Sequence, residues 1–590
     1  MCGIIAIVRK PDVGPIPSAA GLCSDLTGAV EAFDPAAGEL DTALQALART
    51  MQSVNASLRG VPGVAALVAD PAAADGIAAT LDAAAHALSG AEDRIEREVV
   101  DGAELERRNA ALVSAKDACW AIAQDRLPTA RQVTHLTGPS APLSALAVAT
   151  SIQEALSAID RLEVRGRDSA GLQVLVTGHD LDFTDPGVQA MLGERAVDPL
   201  YRSGSVRVLD DALAFVYKAA AEIGELGDNT RALRAAIADD ELLRRAVANP
   251  EAQAVVLGHT RWASVGIVSQ PNSHPLNSDE PRRLGAPYVA AVLNGDVDNF
   301  ADLAARDELD ILPEITTDAK VIPTLTSRAL ADGQPLDEAF RTTVRDLEGS
   351  VAIGAHSADD PARLLFALRG SGQALYVGLC DDAFVVASEP YGLVELTDRY
   401  LRMDGETPSN PDDPTGSRGQ IIELEAALAG TLEGIRRRSY DGSELPVTRD
   451  ELTHAEITTR DIDRGHYPHF LLKEITESPV SFRKTLRGRL GTDGNGRLRA
   501  VVGDETLPPR LRSQLAAGAI DEILVIGQGT AAIAGRAAAA AIAELLGDRD
   551  ISARSLPATE LSGFQLENDM SNVLVVAISQ SGTTTDTNRT

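Results

Sequence analysis

The sequence predicts an α/β protein of two or three folded units, and three observations carry that expectation. Short β-branched runs, among them Ile4 to Val8 and Val289 to Leu293, read as buried strands. Between Glu522 and Ile578 the order strand, loop, helix, strand is a parallel α/β pattern. A length of 590 residues is several times that of one domain.

Ile4 to Val8 places a strand almost at the N-terminus. From about residue 9 to 150 the text turns Ala-rich and acidic, with helical periodicity clearest from Gly76 to Ala123, where Leu81, Leu88, Ile95, Val99, Leu105 and Leu112 share a face. This predicts a helical insertion, with the charges from Glu92 to Glu98 on its solvated side. Strand-like pieces dominate from about 164 to 450, including Leu172 to Val176, Ala254 to Leu257 and Ala383 to Ala387. Asp404 to Gln420 is dense in Pro, Gly, Asp and Ser and predicts an exposed loop. The expected division is one domain over 1–450 with the insertion at 9–150, a linker at 451–468, and a second unit over 469–590 that opens with a helix from His469 to Leu486.

Lys and Arg total 54 against 86 Asp and Glu, a net charge of −32, which argues against a nucleic-acid binder working by phosphate neutralisation. Apolar residues at 44% and charged residues at 24% predict a chain that folds through most of its length. The longest apolar stretch, Ala534 to Leu546, is interrupted by Arg536 and Glu544 and is too short to span a bilayer. The first residues lack the basic region of a signal peptide. A cytoplasmic protein with no membrane contact is expected. Four scattered cysteines, without a CxxC or a His/Cys cluster, predict neither a disulfide framework nor a metal site, and no cofactor is expected.

Chemistry concentrates at strand ends. Cys2, followed by Gly3 and a strand, becomes the first residue if Met1 is removed. Its own α-amino group, with an ordinary pKa of about 8, can then exchange a proton with its thiol, ordinarily about 8.5, so one residue supplies nucleophile and base. Arg165-Gly166-Arg167-Asp168-Ser169-Ala170-Gly171 stands before a strand, Gly258-His259-Thr260-Arg261-Trp262-Ala263 follows another, and Asn294-Gly295 ends a third. An Arg in such a place offers a planar fork to a carboxylate. An Asn amide with the next N–H can hold an oxyanion, although Asn-Gly also suits a hairpin turn. Asp318 could pair with a substrate ammonium; a surface ion pair is the plainer reading of Asp318 and Arg261.

Taken together and in this order, MCGII, LEVRGRDSAGL, GHTRWA, LNGDVDNF and TTDAKVI resemble the N-terminal-nucleophile glutaminase domain of the class II glutamine amidotransferases, over residues 1–8 and most of 151–400. Within that family the wording is most similar to the branch that aminates fructose 6-phosphate. The resemblance implies a layered α/β/β/α fold with L-glutamine as ammonia donor. It also implies Cys2 as nucleophile, Asn294 and Gly295 as oxyanion hole, Arg261 on the glutamine carboxylate and Asp318 on its ammonium. Arg165 would order the surroundings of the nucleophile, and Trp262 would stand near the ammonia passage. Ser264-Val265-Gly266 and Ala319-Lys320 depart from the family wording.

Ser579-Gln580-Ser581-Gly582-Thr583-Thr584 follows a predicted buried strand and offers hydroxyls and N–H groups to an anion at the start of a helix. It resembles the phosphate signature of sugar isomerase domains. The resemblance implies one such parallel α/β subdomain, incomplete at Thr590, and fructose 6-phosphate held by Ser579, Gln580, Ser581 and Thr584. His466 and His469 are expected to be structural. The function implied is transfer of glutamine ammonia to fructose 6-phosphate, giving glucosamine 6-phosphate and glutamate, in a self-associating enzyme. The alternative is a non-catalytic sugar-phosphate sensor assembled through the helical insertion.

Overall fold

The computed structural model describes every residue except 1, 37, 99–101, 221–224, 284, 487–488, 493–494, 496, 502–505 and 580–584. It divides into two compact units that meet in sequence between Gly465 and His466.

The strands of the first unit are β1 (Gly3–Arg9), β2 (Ser169–Thr177), β3 (Val206–Val208), β4 (Ala212–Ala219), β5 (Gln253–Arg261), β6 (Leu276–Asn277), β7 (Val289–Gly295), β8 (Val351–Ser357), β9 (Arg363–Arg369), β10 (Tyr376–Leu379), β11 (Ala383–Ala387), β12 (Arg399–Arg402), β13 (Gln420–Glu425), β14 (Ile435–Ser439) and β15 (Leu452–His454). Among the described residues they form two antiparallel sheets. One runs β15-β12-β10-β11-β1-β5-β2-β4-β3 and the other β14-β13-β9-β8-β7-β6. Helices α1 (Ala19–Ala32), α2 (Leu40–Ser57), α3 (Gly60–Ala69), α4 (Pro71–Arg97), α5 (Gly102–Trp120), α6 (Leu127–Thr137) and α7 (Leu143–Leu162) separate β1 from β2.

The unbroken apolar text of β1 follows from its position. Side chains alternate across a strand, and here both faces are covered. Ile4, Ala6 and Val8 pack with Ala290, Val292 and Phe366 of the second sheet. Ile5 and Ile7 pack with Ile152, Leu156 and Ile159 of α7. Each such fully buried aliphatic side chain contributes about 1.5–3 kcal/mol. On the outer face of the second sheet, helices Val321–Ala331 and Leu336–Asp346 bring Ile322, Phe340 and Val344 against Leu293, Ile353 and Leu365. Helix, sheet, sheet, helix is therefore the layer order of this unit. It leaves the N-terminal end of β1 beside the C-terminal ends of β5 and β7.

The helices before α7 have a core of their own, in which Leu26, Leu44, Leu47, Met51, Leu81, Leu88, Ile95, Leu112 and Ile122 are buried. The expected face 81–88–95–112 is the one buried, Leu105 packs at its margin, and Val99 lies outside the described residues. Two expected boundaries are corrected. The insertion does not run to 150, because α7 starts at Leu143 and spends its apolar face on the first sheet. Residues 451–465 are not a free linker. β15 pairs with β12, Thr459 donates to Asp125 at 2.6 Å and Arg460 to Asp117 at 2.6 Å, so polar partners on the sheet edge and on the helices tie the segment to the first unit.

In the second unit a three-stranded parallel sheet has the order Ser552–Pro557, Glu522–Gly527, Val573–Ala577. The helix Thr530–Leu546 follows its central strand and packs Ala539, Ile542 and Leu546 on Ile523 and Val525. The expected first helix is present as Phe470–Leu486. A short hairpin, Leu490–Thr492 with Leu498–Ala500, precedes the sheet. His466 stacks on Tyr467 with ring centroids 4.5 Å apart.

Candidate active site

β1 and β5 are antiparallel neighbours, and Gly3 pairs with Thr260. This register places Cys2 beside the residues that follow Thr260. The Trp262 N–H donates to Cys2 Sγ at 3.2 Å, and the thiol reaches the Trp262 carbonyl at 3.5 Å. A Cβ on Gly3 would stand 2.7 Å from Thr260 Oγ1 and 2.8 Å from Leu162 Cβ, so the close fit of β1 against α7 and β5 requires glycine there. Burial pushes the Cys2 thiol above its ordinary pKa, while the Trp262 N–H and the Arg261 guanidinium pull it down.

Asn294 comes from the other sheet. Its Nδ2 donates to the Cys2 carbonyl at 2.9 Å, and its Oδ1 lies 3.1 Å from His259 Nε2. Gly295 follows with φ +98°, and a Cβ there would sit 1.9 Å from the Ser350 carbonyl oxygen. The strand-end amide is thus beside the nucleophile.

Arg261 is buried, and its guanidinium donates to the carbonyls of Ile267, at 3.1 Å, and Val265. Burial lowers its pKa, and Cys2, Asp318 and Asp168 oppose that shift. The Asp318 carboxylate is also buried and accepts the Val297 N–H at 2.7 Å and the Thr317 hydroxyl at 3.3 Å. Burial raises its pKa. Arg165 pairs with Glu389, just beyond β11, and Cys2 is among the groups whose charge acts on it. Trp262 contributes its backbone to the thiol, whereas its side chain is 58% exposed.

The structure therefore gathers Cys2, Arg261, Trp262, Asn294 and Gly295 at one end of the two sheets, with Asp318 and Arg165 in electrostatic reach. Of the residues expected to hold a sugar phosphate, Ser579 is described, half-buried just after the strand Val573–Ala577, whereas Gln580, Ser581 and Thr584 lie outside the described residues.

The sequence reading assigned no role to several neighbours. Asp168 Oδ2 accepts the Ala263 N–H at 2.7 Å, and the Asp168 N–H donates to the Arg261 carbonyl at 3.1 Å. Ser264 donates to Asp296, joining the loop after β5 to the turn after β7. The His259 and His274 rings lie against each other, tilted by 35°, with centroids 4.4 Å apart. Asp168 and His259 stand inside the motifs that pointed to the site, and that position was their one available signal.

Curated relatives named glutamine–fructose-6-phosphate aminotransferase (isomerizing) include the following three. That of Geobacillus kaustophilus is 31% identical over 319 residues, 53% of this chain and 44% of the relative. That of Pseudomonas syringae pv. tomato is 30% identical over 339 residues, 57% of this chain and 42% of the relative. That of Bacillus subtilis is 33% identical over 291 residues, 49% and 41% respectively. The chain is similar to these aminotransferases over about half its length. The relatives that the comparisons return carry the name of the branch whose motifs this sequence resembles. The chain spans less than half the length of the curated relatives it matches. No family model matches it. Two solved structures align with TM-scores of 0.32 and 0.29. One, titled as the allosteric regulatory enzyme of purine biosynthesis, is 18% identical over 49% of this chain and 46% of its own. The other, a glutamine phosphoribosylpyrophosphate amidotransferase from B. subtilis, is 16% identical over 49% and 47%.

Proposed function

We propose that the first unit is an N-terminal-nucleophile glutaminase and that the chain serves transfer of glutamine ammonia to fructose 6-phosphate, forming glucosamine 6-phosphate and glutamate. The observation that carries the reading is the convergence on Cys2 of two strand ends, the Trp262 N–H at 3.2 Å from Sγ and the Asn294 amide at 2.9 Å from the Cys2 carbonyl.

Once Met1 is removed, the freed α-amine takes the thiol proton and Sγ attacks the glutamine carboxamide. The tetrahedral oxyanion is held by the Asn294 amide and the Gly295 N–H, donors fixed in place before the charge develops. Collapse expels ammonia, the protonated α-amine returning the proton that the leaving group needs, and leaves a thioester. Water, deprotonated by the same amine, then releases glutamate and the thiolate. Arg261 takes the substrate carboxylate as a charge-assisted fork, and Asp318 takes its ammonium. Arg165 keeps the surroundings of Cys2 in order, and Trp262 stands where the ammonia leaves.

The second unit is read as a sugar isomerase subdomain, with Ser579, Gln580, Ser581 and Thr584 holding the phosphate of fructose 6-phosphate at a strand-to-helix turn. The parallel order of its three strands and the Ala-rich helix after the central one support this reading. Among the described residues no single helix is long and apolar enough to cross a membrane; a cytoplasmic, self-associating enzyme is proposed.

The experiment is glutamate release from glutamine by the native chain and by Cys2→Ala, together with the mass of the N-terminal peptide. Activity that is abolished in Cys2→Ala, with Met1 absent from the native peptide, is the expected result. Unchanged release by Cys2→Ala, or a retained Met1, refutes the mechanism. Formation of glucosamine 6-phosphate from fructose 6-phosphate and glutamine tests the second half separately.

A further inference from the structure

β6 has only two residues and pairs with β7 at Ala290 and Ala291, so the outward backbone groups of Leu293 extend past the end of that partner strand. Two imidazoles take its place. The Leu293 N–H donates to His274 Nδ1 at 3.3 Å, and the Leu293 carbonyl accepts from His259 Nε2 at 2.9 Å. Leu293 immediately precedes Asn294, and the same His259 Nε2 also faces Asn294 Oδ1 at 3.1 Å.

The protonation of this group follows from its partners. The Cys2 carbonyl only accepts, so the Asn294 amide nitrogen faces it and the amide oxygen faces the imidazole. The Leu293 carbonyl and the Asn294 amide oxygen are both acceptors, so His259 Nε2 carries the hydrogen and shares it between them. Its Nδ1 is buried with no hydrogen-bond partner among the described residues. A second proton there would have no acceptor and would face Arg261. Burial accordingly pushes His259 down to about 3, and it holds His274 well below its ordinary value. Both rings are neutral near pH 7. His274 Nε2 in turn lies 3.5 Å from Thr317 Oγ1, which donates to Asp318.

We propose that His259 is a positioning residue for the oxyanion hole: its Nε2–H locks the Asn294 side chain with Nδ2 toward the reacting centre, and His274 holds the peptide on which Asn294 is carried. The inference rests on the glutamine-hydrolysis reading and deepens it. Were the amide free to turn over, half of its orientations would present an oxygen to a developing negative charge. The Nε2–H contact makes that turned state costly, because it would bring the amide N–H₂ against an imidazole N–H.

The test is a double-mutant cycle in the full chain with His259→Phe, Asn294→Ala and the double variant, beside His259→Gln, whose amide N–H can replace Nε2–H. His259→Phe is expected to lower kcat for glutamine hydrolysis by about ten- to a hundredfold, a large part of what loss of an oxyanion donor costs, with KM within about twofold. The double variant should fall no further than Asn294→Ala, and His259→Gln should recover to within about tenfold of native. Alkylation of Cys2 by iodoacetamide forms no oxyanion, so a native rate in each variant reports an intact thiol and fold.

A native kcat in His259→Phe, or losses that multiply in the double variant, overturns the proposal. If the Phe variant also loses alkylation, the Gln cycle decides, and a Gln loss that multiplies with that of Asn294→Ala overturns it. A native chain that is alkylated normally but releases no glutamate fails at the earlier step, which removes the glutaminase reading and this inference with it.

Discussion

The hydrogen bond donor closest to the Cys2 sulfur is a peptide group, the Trp262 N–H at 3.2 Å, while the indole of the same residue turns to solvent. The contact that lowers the thiol pKa therefore survives any substitution at 262 that keeps the backbone. Trp262→Ala is expected to leave the pH profile of Cys2 alkylation unchanged. Iodoacetamide rates measured across pH 7 to 10 check this, and a clear displacement of the profile would mean that the indole, not the strand end, sets the thiol.

Gly295 carries a sharper demand. At φ +98° an L side chain is strained, at a cost of about 1–3 kcal/mol, and a Cβ would lie 1.9 Å from the Ser350 carbonyl oxygen. Gly295→Ala must therefore shift β7 away from β8 at the residue whose N–H is assigned to the oxyanion. A lower melting temperature and at least a tenfold loss of glutaminase kcat are expected. Calorimetry with initial rates reads both, and a variant with native values in both would remove Gly295 from the site.

The strands were legible because β1, β5, β7 and β11 are covered on both faces and so carry uninterrupted apolar text. The site residues were legible because the ends of those strands switch abruptly to polar clusters. The role of His259 was not, since it depends on β6 stopping two residues into its pairing with β7 and leaving Leu293, paired with Ile353 on the β8 side, without a strand neighbour on the other. The start of α7 was hidden because Ala-rich text continues across Leu143 and the helix before it shares the α7 core through Val133 and Leu136. β15 was missed because three residues, Leu452, Thr453 and His454, are too few to show a period.

Arg261 meets two demands at once. Its guanidinium holds the carbonyls of Val265 and Ile267, shaping the loop after β5, and it is the residue assigned to the substrate carboxylate. A lysine keeps the charge but presents no planar fork. Arg261→Lys is expected to raise the glutamine KM by at least tenfold with a smaller effect on kcat, because the lost contacts lie away from the reacting carbon. Steady-state kinetics check the split, and an equal fall in kcat with KM unchanged would argue against the assignment.

Asp125 predicts how the insertion responds to pH. It lies on the turn of helix just before α6, accepts the Thr459 hydroxyl at 2.6 Å and lies 3.4 Å from Arg161. Burial, reinforced by the charge of Glu395, pushes it up to about 6 from an ordinary 3.8. The native state thus binds this proton more tightly than the unfolded chain does. The contribution is fully favourable below about pH 4, is lost as pH rises through about 6, and is constant above that. Asp125→Asn keeps an oxygen for Thr459 but removes the proton. Denaturant melts at pH 4.5 and 7 should show the variant flatter with pH than the native chain and more stable than it at pH 7. Parallel slopes in the two proteins would show that Asp125 stays ionised across the range, balanced by Arg161 and Arg126.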